Sequence, residues 1–258
     1  MPTQQRIAVI PDLHCSDQDD RAVELACRVI EATKPDRLIF LGDILDYGWA
    51  SFYPQNQGEL RGIFKREISA WEKVAGRIRS AAPDAPGDLV PGNHDYRLQR
   101  GFLWSHPAFQ EWEQLEWKEI LSLKRFNIRL HDDPAAIFLA GKSFVATHGV
   151  RVHKHSGSSG IAEMAEEWWC SGISGHTHRM GQVFRTVHRG VYCWTECGHL
   201  QKKRPKYAPI NKVAPFNWQQ GIAIMSAGPT EFSVPQLVPF WTRRGKYHAR
   251  FMEQEFAA

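Results

Sequence analysis

The first half of the chain alternates short apolar runs with longer amphipathic stretches. The runs "RIAVI" (6–10) and "RLIFL" (37–41) have the length of strands, and the stretch between them carries apolar residues at helical spacing. A second amphipathic stretch spans residues 58–82 and ends at Pro83, and "DLV" (88–90) predicts a third strand. Because consecutive strands joined through helices run parallel, this order predicts a parallel sheet with crossover helices.

The second half is richer in strand patterns. A third helix is predicted over residues 106–123. The aromatic stripe at this helix is predicted to face the core, with a platform for nucleic-acid bases as the alternative, and consists of Trp104, Phe109, Trp112 and Trp117. A further helix is predicted near 160–170, and strands are predicted at 136–140, 143–147, 172–175, 181–188, 191–196 and 221–226. We therefore expect an α/β fold with a second sheet, an αββα sandwich in a single domain over 1–258. Its motif core spans 6–180, and residues 181–258 add strands and a long loop.

Composition excludes several classes of protein. The five cysteines are scattered and form no CxxC pair, which is typical of reduced thiols in the cytoplasm. No apolar run approaches the roughly 20 residues of a membrane span, and the N-terminal segment lacks the pattern of a secretory signal. A net charge of +4 permits a phosphate-bearing partner without requiring one. We expect a cytoplasmic protein with no membrane partner, and the oligomeric state stays open.

Five of the predicted strands end in side chains that offer oxygen or imidazole donors. The carboxyl ends of strands are where open α/β sheets place their sites. Each pattern alone has an ordinary explanation, such as a tight turn or a helix N-cap. All five in one chain form a much more specific signal. The residues are Asp12 and His14, Asp43 and Asp46, Asn93 with His94, Asp95 and Arg97, His148, and finally His176 and His178.

The ordered motifs "DLH", "GDILD", "GNHD", "ATHG" and "GHTH" resemble those of the calcineurin-like metallophosphoesterases. The resemblance runs from Asp12 to His178 and implies a two-sheet sandwich with two metal ions. It implies that His94 is the general acid and that Asp46 orients it. It further implies that Asp43 bridges the metals, that Asp12, His14 and His178 hold one of them, and that Asn93, His148 and His176 hold the other. From its place in the turn, Asp95 is predicted to be a structural brace.

The chemistry of these ligands restricts the metal. Imidazole, carboxylate and amide donors without thiolate suit two divalent transition-metal ions, Mn²⁺ first, with Fe or Zn²⁺ as alternatives. Water shared by two such ions falls in pKa from about 15.7 to about 7, which supplies hydroxide for attack on phosphorus. An imidazole acid beside a carboxylate, here His94 with Asp46, can then protonate the leaving oxygen.

Substrate signals are weaker. The family's protein serine/threonine phosphatases carry arginine where this chain has Tyr47, which argues against that activity. Arg97 could contact phosphate, or it could be an ordinary surface residue. The long segment 198–221 combines Lys202, Lys203 and Arg204 with Trp218 and other aromatic residues. That composition fits a groove for single-stranded DNA or RNA, and a solvated loop pinned by its aromatic residues is the alternative.

These observations predict a metal-dependent phosphoester hydrolase. The favoured function is a phosphodiesterase acting on nucleic acid or nucleotides, because the chain also resembles, more weakly, small stand-alone phosphoesterases of bacteria and phages. A phosphomonoesterase on a small phosphorylated substrate uses the same core and stays open. A non-catalytic binding module is disfavoured, because a degenerate site is expected to lose ligands and none is missing here. His199 has no partner pattern in the sequence and is taken as ordinary.

Overall fold

The structure is a computed structural model that describes residues 4–50, 61–188, 190–202 and 216–258. Its strands are numbered in chain order. The described residues contain thirteen of them: β1 Gln5–Ile10, β2 Arg37–Phe40, β3 Gly87–Leu89, β4 Ile128–Leu130, β5 Ala136–Leu139, β6 Phe144–Thr147, β7 Ser171–Ser174, β8 Met180–Val187, β9 Gly190–Cys197, β10 Gly221–Ala227, β11 Gln236–Arg243, β12 Lys246–Phe251 and β13 Gln254–Ala257.

The strands form two sheets, which confirms the predicted α/β sandwich. The larger sheet has the order β13-β12-β11-β10-β1-β2-β3-β4, and the smaller has the order β5-β6-β7-β9-β8. Strands β1 to β4 run parallel, as do β6, β7 and β9. The carboxyl ends of both parallel sets therefore open toward one edge of the sandwich.

The C-terminal strands differ from the expectation that they contribute to the second sheet. Strand β10 pairs antiparallel with β1, and β11 to β13 extend the first sheet as a meander. The apolar side chains of β10 are buried on both faces, which suits a strand in the interior of a sheet. Strands β11 to β13 alternate between buried and exposed residues, and this weaker pattern was missed in the sequence.

Two long helices cover the outer face of the first sheet. Helix α1 (Asp20–Thr33) begins after Asp19, whose side chain accepts hydrogen bonds from the amides of Arg21 and Ala22 as an N-cap. Helix α2 is Ile63–Ala81. Helix α3 is Trp117–Ile120, and helix α4 is Ser156–Ala162, continued by a wider helical turn at Glu163–Trp168. None of the helices among the described residues combines the length and apolar composition that a membrane span needs.

The predicted helix over 106–123 is wrong. The chain forms separate short 3₁₀ turns at Pro107–Phe109 and Glu113–Leu115 before α3. Without one continuous helix, the aromatic stripe does not make a single buried face. Trp104 and Trp112 are 74% and 55% exposed, and only Trp117 among the stripe is buried.

The core follows the two-residue period of the strands. Along β1, Ile7 and Val9 point between the sheets, where they meet Phe144 and Ile173 of the smaller sheet. The alternate residues, Ala8 and Ile10, point to the helices and join the cluster around Trp71. A third cluster, which includes Met164 and Trp194, lies beneath α4 and its continuation. The helix–sheet–sheet–helix layering holds the strand ends in fixed relative positions.

Candidate metal centre

The loops that leave β1, β2, β3, β6 and β7 meet at the open edge of the sandwich. They bring together the side chains that the sequence placed at strand ends. Two groups of donor atoms result, within 4.8 Å of one another in each group: Asp12, His14, Asp43 and His178 in the first, and Asp43, His148 and His176 in the second. Asp43 belongs to both groups, so its carboxylate is placed to contact two ions.

In the first group, ring nitrogens and carboxylate oxygens face one another in a buried space. The Nε2 atoms of His14 and His178 are 3.0 Å apart, and Asp12 Oδ1 lies 3.3 Å from His178 Nε2. The Asp43 Oδ2 atom is 3.7 Å from His14 Nε2. Converging acceptor atoms of this kind repel one another unless a cation or proton lies among them. The donor set therefore fits a divalent ion with nitrogen and oxygen ligands.

In the second group, His148 takes the central position. Its Nδ1 atom donates to the Leu41 carbonyl oxygen at 2.6 Å, which leaves Nε2 free to act as a ligand. That Nε2 atom lies 3.0 Å from Asn93 Oδ1 and 3.5 Å from Asp43 Oδ2. The ring of His176 contacts the ring of His148 with centroids 4.9 Å apart. Asn93, which the resemblance assigns to the second ion, therefore lies beside this group.

Two glycines allow the loops to approach this closely. A Cβ atom on Gly92 would lie 2.2 Å from Asp43 Oδ1, and one on Gly175 would lie 2.1 Å from Asp12 Oδ2. Any side chain at these positions would displace a carboxylate of the candidate centre. The glycines of "GNHD" and "GHTH" are therefore required by space at the centre.

The backbone of the candidate ligands is strained. Asp12, His14, Asp43, His176 and His178 all have positive φ values, between 25° and 65°. Non-glycine residues in this region cost about 1–3 kcal/mol each and cluster at functional sites, where the surrounding structure holds them. The strain indicates that the loop geometry serves the convergence of these side chains.

A third group, His14, Asp46 and His94, lies beside the first. Asp46 Oδ1 accepts from His94 Nδ1 at 2.6 Å and from His14 Nδ1 at 2.9 Å. Because both ring nitrogens already donate to one oxygen, this group forms a hydrogen-bonded network and needs no ion. The resemblance links Asp46 to His94 alone, and the contact of Asp46 with His14 was missed because only the fold brings the two loops together.

The electrostatics of the centre follow from burial and from the mixture of charges. Burial by itself would raise the pKa of Asp46, but hydrogen bonds from His14 and His94 outweigh it and hold that pKa well below its usual range. Burial also opposes the charged form of His14, yet the hydrogen bond and charge of Asp46, with Asp43 and Asp12, raise the pKa of His14 to about 9. The pKa of His176 falls to about 4 because of burial and the nearby His148.

Asp95 is the brace that the sequence analysis predicted. It accepts from the amide of Gly92 at 2.8 Å and from the amides of Ile44 and Leu45 at 3.1 and 3.4 Å. Burial, reinforced by the charge of Asp43, raises its pKa to about 7. The side chain ties the loop after β3 to the loop after β2, and so positions two of the donor-bearing segments relative to each other.

The predicted substrate-binding residues lie in two places, beside His94 and in the segment after β9. Arg97 lies beside His94, the candidate general acid. Its Nη1 donates to the Asp46 carbonyl oxygen at 2.9 Å, and its Nη2 lies 3.0 Å from His94 Nε2. Lys202 is half-exposed and lies 3.7 Å from Asp17. Lys203 and Arg204 lie outside the described residues.

Aromatic residues flank the first group. Trp218 is half-buried, packs its ring edgewise on His178 with centroids 4.5 Å apart, and stacks on Phe216 at 4.4 Å. His199, taken as ordinary in the sequence, is fully buried and stacks on His178 at 5.0 Å. No pattern in the sequence marked it, because β9 ends beside this loop only in the folded chain. Tyr47, at the position where the protein phosphatases carry arginine, is fully buried.

Comparisons with known proteins agree with this geometry. Residues 5–206 match the model of the calcineurin-like phosphoesterase family. The gene 54 protein of Mycobacterium phage D29 is 28% identical over 252 residues, covering 91% of this chain and 93% of the phage protein. The gene 54 protein of Mycobacterium phage L5 is 27% identical over 263 residues, covering 96% and 99% respectively.

Solved structures with low sequence identity are also similar. Vacuolar protein sorting 29 from Cryptosporidium parvum has a TM-score of 0.46 at 12% identity, with 99% of both chains covered. YfcE, a phosphoesterase from E. coli, has a TM-score of 0.40 at 13% identity, with 90% of this chain and 98% of that one covered. The family match spans most of the sequence and includes every strand end that contributes to the centre. The chain therefore belongs to the calcineurin-like phosphoesterase family, and it is a metal-dependent phosphoesterase.

Proposed function

We propose that the protein is a phosphodiesterase that hydrolyses nucleic-acid or nucleotide phosphodiesters at a dinuclear metal centre. Mn²⁺ is the expected metal, with Fe and Zn²⁺ as alternatives, since all donors are nitrogen or oxygen. When bound, the two cations supply positive charge toward the phosphoryl oxygens and lower the pKa of water. Asp12, His14 and His178 would hold the first ion, Asn93, His148 and His176 would hold the second, and Asp43, which belongs to both donor groups, would serve both.

The observation that carries the proposal is the position of His94. Its ring is 14% exposed, its Nδ1 donates to Asp46, and its Nε2 lies outside the two ligand groups. A protonated His94 can donate from Nε2 to the leaving oxygen, while the carboxylate of Asp46 stabilises the positive ring. Arg97 Nη2 donates to the same nitrogen at 3.0 Å, so protonation of Nε2 requires the guanidinium to turn away from His94, where it can contact a phosphate oxygen instead.

The single positive charge of Arg97 beside His94 favours a phosphodiester substrate over a monoester. A phosphodiester carries one negative charge, whereas a monoester near neutral pH carries up to two. Within the described ranges, Arg97 is the only arginine with a hydrogen bond to His94 or to Asp46. One guanidinium at this end of the site matches the single charge better. A phosphomonoesterase acting on a small substrate is the alternative, because it would use the same donors and the same acid.

Two aryl substrates distinguish these activities. Bis-p-nitrophenyl phosphate and p-nitrophenyl phosphate share a leaving group and differ in the number of ester bonds. We expect the Mn²⁺-loaded protein to hydrolyse the diester with a kcat/KM at least about tenfold higher, equivalent to about 1.4 kcal/mol in the barrier. The same protein in excess chelator is the control. The reverse preference would replace the phosphodiesterase proposal with the monoesterase.

The nucleic-acid part of the proposal rests on the segment after β9. Trp218 lies against His178, and Lys202 follows β9. In the proposal, Trp218 stacks on a base of single-stranded nucleic acid beside the centre, and Lys202 contacts its phosphate backbone. Replacing Lys202, Lys203 and Arg204 by glutamine should weaken oligonucleotide binding and reduce the salt slope by about 0.7 per lost contact. Trp218→Ala should weaken binding by about 1–3 kcal/mol if a base stacks there.

A matched control uses exposed cations elsewhere. The control residues are Lys124, Arg125 and Arg129. Lys124 and Arg125 precede β4 and lie at the opposite edge of the sheet from the centre, and Arg129 lies within β4. Their replacement by glutamine removes the same formal charge and should leave the salt slope unchanged. If both triple variants bind a single-stranded oligonucleotide like the parent, the substrate is a small phosphoester. The two phage relatives support the further proposal that the chain is phage-encoded.

A further inference from the structure

The short loop at 175–179 carries two of the candidate ligands in unfavourable conformations. His176 and His178 have φ values of 65° and 57°, in the left-handed region that histidine seldom adopts. Between them, the amide of Thr177 donates to the Gly175 carbonyl oxygen at 2.7 Å, which makes a very tight turn. Such a turn needs contacts from outside the loop to stay in place.

The side chain of Thr177 supplies one such contact. Its hydroxyl donates to Glu196 Oε1 at 2.6 Å, and the amide of Arg179 donates to the same hydroxyl at 3.3 Å. Thr177 is 6% exposed and Glu196 is 2% exposed. A buried hydroxyl–carboxylate bond of this length has the geometry of a charge-assisted hydrogen bond, which is stronger than a neutral one.

The place of Glu196 in the sheet explains why it can hold this loop. Glu196 lies on β9, between β7, which leads into the loop, and β8, which leads out of it. It is paired with Ser174 on one side and with Gly181 on the other. The carboxylate is therefore at the base of the loop, between its two ends.

We propose that Glu196 is a positioning residue of the metal centre and acts through Thr177. The hydrogen bond holds the middle of the loop, and His176 and His178 on either side of it are then directed into the second and first donor groups. One buried pair thus sets the positions of a ligand in each group. The inference rests on the metal centre of the proposed function and is independent of its substrate.

The test measures metal binding without turnover. Metal-stripped protein is titrated with Co²⁺, and affinity is followed by calorimetry while the visible spectrum reports ligand geometry. Thr177→Val keeps the shape of the side chain and removes the hydroxyl. We expect its Co²⁺ affinity to fall about 10–100-fold, the range for partners that orient ligands, with an altered spectrum. Thr177→Ser retains the hydroxyl and should restore parent-like binding.

Two further variants separate positioning from general stability. Thr195→Val removes a buried hydroxyl from the neighbouring residue of β9, where Thr195 accepts from Gln182 at 3.1 Å, and should leave Co²⁺ binding unchanged. The double variant Thr177→Val with Glu196→Gln should bind Co²⁺ about as weakly as Thr177→Val alone, because the hydroxyl through which Glu196 acts is already absent.

Each outcome has a definite meaning. If the parent binds Co²⁺ and Thr177→Val binds it equally well, Glu196 has no positioning role and the proposed centre stands. Equal losses in Thr177→Val and Thr195→Val would also overturn the inference, because they would reflect a weakened sheet. A parent that binds no divalent metal would overturn the metal centre itself.

Discussion

Asp46 offers the sharpest test of the candidate centre, because one of its oxygens serves two histidines with different tasks. Oδ1 accepts from His14 Nδ1 at 2.9 Å and from His94 Nδ1 at 2.6 Å. His14 is a candidate ligand through its other nitrogen, and His94 is the candidate acid. Asp46→Asn retains the size of the side chain and removes its charge. We therefore expect the substitution to weaken metal binding and proton donation together.

The two magnitudes follow from the two contacts. Loss of a carboxylate that orients a histidine ligand reduces metal affinity by about 10–100-fold. Loss of the partner that stabilises the protonated acid reduces turnover by up to the whole contribution of general acid catalysis, about 10²–10⁴-fold. His94→Ala removes the acid and leaves the contact between Asp46 and His14 intact. This variant should lose turnover without losing metal affinity.

The assay compares the two variants with the parent on metal affinity and on two classes of leaving group. Metal affinity is measured by competition with a chelator of known strength. Turnover is measured at saturating Mn²⁺ on an alkyl and on an aryl phosphodiester. The loss in both variants should be smaller for the aryl ester, because a phenolate leaves without needing a proton.

Two results would refute this reasoning. If Asp46→Asn binds metal as tightly as the parent, the contact with His14 has no role in orienting the ligand. If His94→Ala lowers alkyl and aryl turnover equally at saturating metal, His94 is not the acid.

Three further predictions concern stability, measured by urea unfolding of the metal-free protein. Burial, followed by the charge of Asp46, raises the pKa of Glu67 from 4.5 to about 8, so the folded state loses stability as pH rises through that window, by about 1.4 kcal/mol per pKa unit. Glu67→Gln should remove this pH dependence, so the free energy of unfolding of the variant, compared with that of the parent, should be more favourable at pH 9 than at pH 5. An equal difference between variant and parent at both pH values would contradict the assignment. Asp95→Ala leaves the buried amides of Gly92 and Ile44 without their acceptor and should cost about 1–3 kcal/mol for each, whereas a cost below about 0.5 kcal/mol would argue against the brace. Trp71→Ala removes a fully buried ring that also donates to a carbonyl oxygen at 2.8 Å, and should lower the free energy of unfolding by about 3–5 kcal/mol; a much smaller loss would mean that the surrounding core collapses into the space.

The sequence by itself determined the strands that end in donor residues and, through them, the nature of the centre. Local patterns suffice for this, because a strand is recognised by its own apolar residues and the donors follow directly in the chain. Asp12 after β1, Asn93 after β3 and His148 after β6 were all placed in this way. The parallel order of the first strands then predicted that these ends share one edge. The αββα sandwich followed from the same alternation.

Local patterns were insufficient where several weak signals had to agree. The aromatic spacing over 106–123 suggested one helix, yet the chain forms short turns and leaves Trp104 and Trp112 exposed. Strands β11 to β13 have one exposed face, and their alternation was too weak to predict them. In both cases, packing against distant parts of the chain decides the structure, because burial of side chains outweighs small differences in local preference.

Only the tertiary structure decided which side chains meet. His14 and His178 lie 164 residues apart in the chain, and their ring nitrogens are 3.0 Å apart. The sharing of Asp46 between two histidines, and the position of Glu196 beneath Thr177, depend on the order of strands within the sheets. A contact of this kind leaves no mark in the residues next to either partner. Its physical origin is the stacking of two sheets, which brings loops from distant parts of the chain to one edge.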